Sequence, residues 1–166
     1  MPTPEFLPAN FTRKEGVVEG RLSVLLDNHL EEVWSALTEP ARLVEWLAPG
    51  AIELRQGGAV RLNFPDGGLI DSTVSAIEPK RLLEYSWSIP GEPTRPVRWE
   101  LEPIGAAVRL TMTLRMPANE DASRGLAGWA AHLDMLAAAL ANVPVKFPFE
   151  VCKAAREAYR DQLTTA

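Results

Sequence analysis

Residue types suited to proton transfer or nucleophilic attack are scarce in this chain. The only histidines are His29 and His132, and the only cysteine is Cys152. The histidines stand too far apart for the spacing that lets one element grip a metal. One cysteine permits neither an intramolecular disulfide nor a Cys-rich metal site, and it reads as an ordinary small side chain in the C-terminal extension. No G-x-S-x-G elbow, Walker-type phosphate loop or H-E-x-x-H pair is present. No cofactor, no metal and no catalytic residue are therefore assigned, and enzymatic activity stays open.

His132 lies in "GWAAHLDMLAAAL" (128–140), beside a large apolar stripe. Three roles fit it: a general acid or base, a polar contact for a ligand, or a boundary residue bonded to backbone or water. At 100° per residue it falls about 70° from the centre of the arc formed by Trp129, Leu133, Leu136, Leu140 and Val143. It should border the apolar interior, which favours the boundary reading. Catalysis would need a second positioned polar group, and by strand parity Ser72 and Tyr85 are the polar candidates facing inward.

These residues depend on the elements around them. "RLSVLLD" (21–27) alternates Leu22, Val24 and Leu26, the pattern of a half-buried strand. The next segment changes period: Leu30, Val33, Trp34 and Leu37 form one helical stripe, with Asn28 as cap and Glu31 as its capping-box partner. Pro40 ends that helix and starts another, which buries Leu43, Trp46 and Leu47 before Pro49-Gly50 stops it. From 51 to 116 the period is two. "AIELR", "AVRLNF", "LIDSTVSAI", "RLLEYSWSI", "VRWELEP" and "AVRLTMTLRM" are separated by Gly, Pro and Asp-Gly turns. Short connections predict an antiparallel meander with one solvated face. After Pro117 a long helix runs to about residue 142, with Asp121 or Ser123 near its start, and "FEVCKAAREAYRDQL" predicts a further short helix.

Length sets one domain with extensions. Residues 1–16 read as a Pro-rich, aperiodic tail or strap, 17–143 as the domain and 144–166 as an extension that packs on the domain or a partner. The net charge of −5 lacks the basic field that attracts nucleic acid or anionic membrane. The N-terminus does not read as a secretory signal and no window offers a membrane span, so no membrane insertion and a cytoplasmic location are expected. The outer side of the long helix, Ala127, Ala131, Met135 and Ala138, is free of charge. It should be covered by residues 147–159 or by a second subunit, which leaves a homodimer open.

"VWSALTEPARLVEWL", the glycine pair 57–58, "AIEPKRLLEYSW" and "GWAAHLDML", in that order, resemble the activator of Hsp90 ATPase homologue-like branch of the START/Bet v 1-like (SRPBCC) superfamily. The resemblance covers roughly residues 20–142. It implies an α+β helix-grip fold, a curved antiparallel sheet wrapped around a long C-terminal helix, with a deep hydrophobic cavity beneath that helix. It leaves three functional readings: binding of a small hydrophobic or aromatic ligand, an aromatase- or cyclase-like enzyme acting on a polyketide-like substrate, and a chaperone-assisting module. Ligand binding leads, because aromatic residues gather on the inward positions and no recognised catalytic motif is present; the chaperone reading is weakened because the chain lacks the co-chaperone's separate N-terminal chaperone-binding domain.

The inward positions nominate Phe64, Trp87, Trp99, Met112 and Leu114 on strands, with Trp129 and Leu133 on the helix, as ligand wall. Ser72, Tyr85 and His132 supply the polar groups. Burying on the order of 300 Å² of apolar ligand yields roughly 7 kcal/mol, and association removes at least about 4 kcal/mol of that. Selectivity must therefore come from the few polar groups.

Overall fold

The computed structural model describes residues 5–165; residues 1–4 and 166 of the two expected extensions lie outside it. Eight strands run β1 (Asn10–Lys14), β2 (Val17–Leu26), β3 (Gly50–Ile52), β4 (Ala59–Asn63), β5 (Leu69–Glu78), β6 (Leu82–Ser86), β7 (Pro96–Ile104) and β8 (Ala107–Pro117). Four helices join them: α1 (Leu30–Thr38), α2 (Pro40–Trp46), α3 (Ala122–Leu140) and α4 (Phe149–Thr165). The sheet order is β1-β2-β8-β7-β6-β5-β4-β3, every neighbouring pair antiparallel. This is the α+β helix-grip fold, with the sheet curved around α3.

Strand parity decides which side chains enter the core. On β7 and β8, Val97, Trp99, Leu101, Val108, Leu110, Met112, Leu114 and Met116 are buried. Arg98, Glu100, Glu102, Arg109 and Arg115 populate the other face and pair across or along the strands, as in Arg98–Glu84 and Arg115–Glu19. Gly20 on β2 admits the helix: a Cβ there would sit 2.9 Å from Leu126 Cδ2 of α3. That close approach is what lets the sheet grip α3.

Asp121 caps α3 by accepting from the backbone N–H of Arg124 at 3.2 Å. At the other end Asn142 takes a left-handed φ of 62°. Asn142 N–H then reaches Ala139 O and Val143 N–H reaches Ala138 O, a Schellman closure. The helix thus stops before Val143, which is 63% exposed instead of completing the apolar arc. The capping box of α1 is shifted by one residue from the expected Asn28–Glu31 pair. His29 is the N-cap and its N–H donates to Glu32 at 3.4 Å, while Asn28 Nδ2 donates to Leu140 O.

Two features of the extensions differ from their sequence pattern. Residues 10–14, expected to be aperiodic, form the edge strand β1. It pairs through its backbone, which requires no alternation of side chains. The terminal helix is long: α4 has 17 residues and lies along α3, where Ala127 and Ala131 are fully buried. Phe6 and Phe11 meet Tyr159 edge to face, and the Tyr159 hydroxyl donates to Leu7 O, so the N-terminal segment straps α4 down.

Candidate functional site

Beneath the middle of α3 the interior is filled. Tyr85, Trp99, Met112 and Leu133 are each at most 1% exposed. Trp99 meets Trp46 edge to face at 5.8 Å and Trp129 at 5.4 Å. Its indole N–H donates to Tyr85 Oη at 3.3 Å, which settles two polar atoms inside the core. Burial pushes the Tyr85 phenol up to about 12, so it remains protonated throughout the neutral range. The space where the resemblance implies a deep cavity is therefore occupied by indole, phenol and thioether side chains.

The opening lies to one side, between the rim of the sheet and the first half of α3. It is a groove of about 630 Å³, within the range that holds a small organic molecule. Gly125, Gly128, Trp129 and His132 recur at i, i+3, i+4 and i+7 and so present one face of α3 to it. Opposite stand Phe64 at the end of β4, Trp87 just after β6 and Met116 on β8. Trp87 packs on Trp129 at 4.5 Å, Phe64 on Trp87 at 5.7 Å, and Phe64 lies 6.3 Å from the His132 ring. The wall is thus a chain of edge-to-face aromatic contacts running from the buried Trp46–Trp99 pair to the surface.

Gly128 is what keeps this groove open. A Cβ built there meets nothing within 4 Å, so no packing demands a glycine. Each helical glycine costs about 1 kcal/mol relative to Ala, and the rest of α3 is rich in the good helix formers Ala and Leu. Gly125 is more confined, its would-be Cβ touching Leu114 and Met116 at 3.4–3.5 Å.

His132 borders the groove half-buried. Its Nδ1 stands 2.9 Å from Trp46 O. A carbonyl only accepts, so Nδ1 carries the proton and Nε2 holds the lone pair. Burial holds the imidazole below its usual value, outweighing the carbonyl bond that favours its charged form. Neutral at pH 7, it can accept a hydrogen bond from a ligand.

The rim is charged. Arg95 grips Glu120 with two parallel bonds of 2.7 and 2.8 Å and donates to Trp87 O at 3.2 Å, joining the β6–β7 loop to the approach to α3. That pairing raises the guanidinium and lowers the carboxyl of Glu120. The Ser123 hydroxyl, first among its donors, holds Asp121 low as well.

Of the residues nominated from the sequence, Phe64, Trp87, Trp129 and His132 meet on the groove. Trp99, Met112, Leu114, Leu133 and Tyr85 have inward parity but belong to the packed core. Ser72 is half-buried, and its hydroxyl donates to Ser86 O at 2.7 Å within the sheet. Arg95, Arg124, Gly125 and Gly128 were not nominated. The pair of glycines within "SRGLAGW" is the sequence signal for the α3 face, because glycine is disfavoured inside a helix; Arg95, in the β6–β7 loop, carries no such signal.

A second hollow, of about 530 Å³, lies on the outer face of the sheet among arginines and glutamates such as Arg98, Arg109, Glu100 and Glu102. It is a solvated lattice of ion pairs without an aromatic wall. Among the described residues no group of three or more His, Cys, Asp or Glu side chains is placed to hold a metal, and no helix is long and apolar enough to cross a membrane.

The fold has solved relatives. CalU16 from Micromonospora echinospora superposes with a TM-score of 0.78 at 23% identity, over 93% of this chain and 96% of that one. EF2215 from Enterococcus faecalis, a conserved protein of unknown function, gives 0.76 at 20% identity, over 95% and 91%. DynU16, from the dynemicin biosynthetic locus, gives 0.69 at 29% identity over 75% of this chain, which spans 47% of DynU16. No curated protein matches the chain. The family model described as "Activator of Hsp90 ATPase homolog 1-like protein" matches residues 27–141, from the end of β2 to the end of α3. The chain belongs to that family.

Proposed function

We propose that this protein binds a small aromatic molecule in the open groove between Phe64, Trp87 and the Gly128 face of α3. The observation that carries this reading is Gly128: a helix otherwise rich in Ala and Leu omits a side chain where nothing would obstruct one, directly beneath an aromatic wall. The occurrence of DynU16 in a biosynthetic locus supports a small organic molecule as the occupant. Trp87 and Trp129 would stack on or edge against its rings, and His132 Nε2 would orient it. A wall of edge-to-face aromatics accepts many planar shapes, so the pocket alone confers modest affinity.

The test is to fill the groove from the helix. Titration of intrinsic tryptophan fluorescence with a panel of fused-ring aromatics should show saturable quenching in the native protein. Gly128→Leu should abolish it while the melting temperature holds or rises. Undiminished quenching in Gly128→Leu would remove the groove as the binding site.

A further inference from the structure

The two ends of the groove differ in polarity. At one end stand Met116, the Arg95–Glu120 pair and Arg124. The Arg95 fork is fully engaged by Glu120, Trp87 O and Glu92. Asp121 is likewise taken up by Ser123, the Arg124 backbone N–H and Arg156. The Arg124 guanidinium, exposed at the rim, has no ion pair or hydrogen bond among the described residues. A planar fork of N–H donors beside an aromatic wall matches a carboxylate.

The other end offers acceptors. His132 turns Nε2 away from the bond that Nδ1 makes with Trp46 O. Asp66 lines the same end beside Phe64, and its carboxylate accepts the Gly68 N–H at 3.1 Å with no cationic partner among the described residues. Between the ends lie Gly125, Gly128 and Trp129, with Trp87 facing them, a flat stretch that offers no charge. Eight residues separate Arg124 from His132, an axial distance of about 12 Å, and the Arg124 side chain leans farther toward the N-terminus. A single ring cannot engage both ends.

We infer that the occupant is an elongated, planar, fused-ring aromatic acid, with its anionic group held by Arg124 and a hydroxyl or other hydrogen-bond donor directed to His132 and Asp66. This inference rests on the groove being the binding site. Arg124 and His132 act here as specificity-determining contacts, and no bond is made or broken.

The two readings separate in one experiment. The probe is 6-hydroxy-2-naphthoate, whose carboxylate and hydroxyl lie at opposite ends of two fused rings. It is compared with its neutral amide, 6-hydroxy-2-naphthamide, by calorimetric titration of the native protein, Arg124→Gln and Gly128→Leu. The acid should bind roughly tenfold more tightly than the amide. Arg124→Gln should erase that preference, weakening the acid far more than the amide, and Gly128→Leu should abolish binding of both. Equal affinity for acid and amide in the native protein, or a preference for the acid that survives Arg124→Gln, would overturn the assignment of Arg124 while the groove reading stands. Failure of both compounds to bind, or binding insensitive to Gly128→Leu, would overturn the groove reading and this inference with it.

Discussion

Two clusters of aromatic side chains touch the same helix and do different work. Under the middle of α3, Trp46, Trp99 and Tyr85 interlock with Met112 and Leu133 and exclude solvent. One turn and one strand away, Phe64, Trp87 and Trp129 stack in the same edge-to-face manner but leave an open face. The geometry of the ring contacts does not distinguish them. What differs is the helix residue opposite: Leu133 and Leu136 fill the interior, whereas Gly125 and Gly128 withdraw. A binding surface can therefore be made from core-type packing by omitting side chains from one wall, with no change of fold.

The comparison breaks most visibly at the tryptophans. Trp99→Ala should destabilise the protein by about 3–5 kcal/mol, because a packed indole leaves a cavity and Tyr85 loses its donor. Trp87→Ala should cost clearly less, since that side chain is only half-buried, yet it should weaken aromatic ligands. Urea denaturation of both variants measures this, and equal costs would mean that the groove is as tightly packed as the core.

A smaller effect concerns pH. The folded state holds the His132 imidazole below its ordinary value of 6.5, so the unfolded chain takes up the proton first. Stability should fall as pH drops below about 6.5 and level off once the folded-state group is also protonated. In His132→Gln, whose amide can still donate to Trp46 O, that part of the acid sensitivity should disappear. Identical pH dependence in the two proteins would show that burial of this ring carries no proton linkage.

The smallest change is Gly128→Ala. A methyl group there meets open space, so the helix should gain up to about 1 kcal/mol and the melting temperature should rise. A lower melting temperature would show that this wall of α3 has hidden neighbours.

Much of the fold was legible because burial imposes a period. The alternation in "VRWELEP" and "AVRLTMTLRM" reproduces the buried and solvated faces of β7 and β8, except at Thr113, which belongs to the outer face by parity yet is buried. Pro40 starts α2 as its fixed φ predicts, and Asp121, one of the two residues expected near the start of α3, is its N-cap. Strand β1 escaped notice because an edge strand is held by backbone pairing, and Asn10, Thr12, Arg13 and Lys14 are all exposed. For the site, parity identified which side chains point inward. It could not say which inward positions reach solvent, so Tyr85, Trp99 and Met112 were grouped with Trp87 and Phe64.

Taken alone, the order of periods, the turn residues and the helix caps determined an antiparallel sheet wrapped on one long helix, and the angular position of His132 placed it at a boundary. These are local properties, set by repeats of two and 3.6 residues. Whether the interior encloses a cavity or closes on itself was decided only in three dimensions, where Trp46, Trp99 and Trp129 from separate elements fill one volume. The same assembly turned two helix glycines into the floor of a groove and left Arg124 unpaired at its rim among the described residues. Packing of volume and pairing of charge depend on which distant residues meet, and no short-range pattern in a chain specifies that.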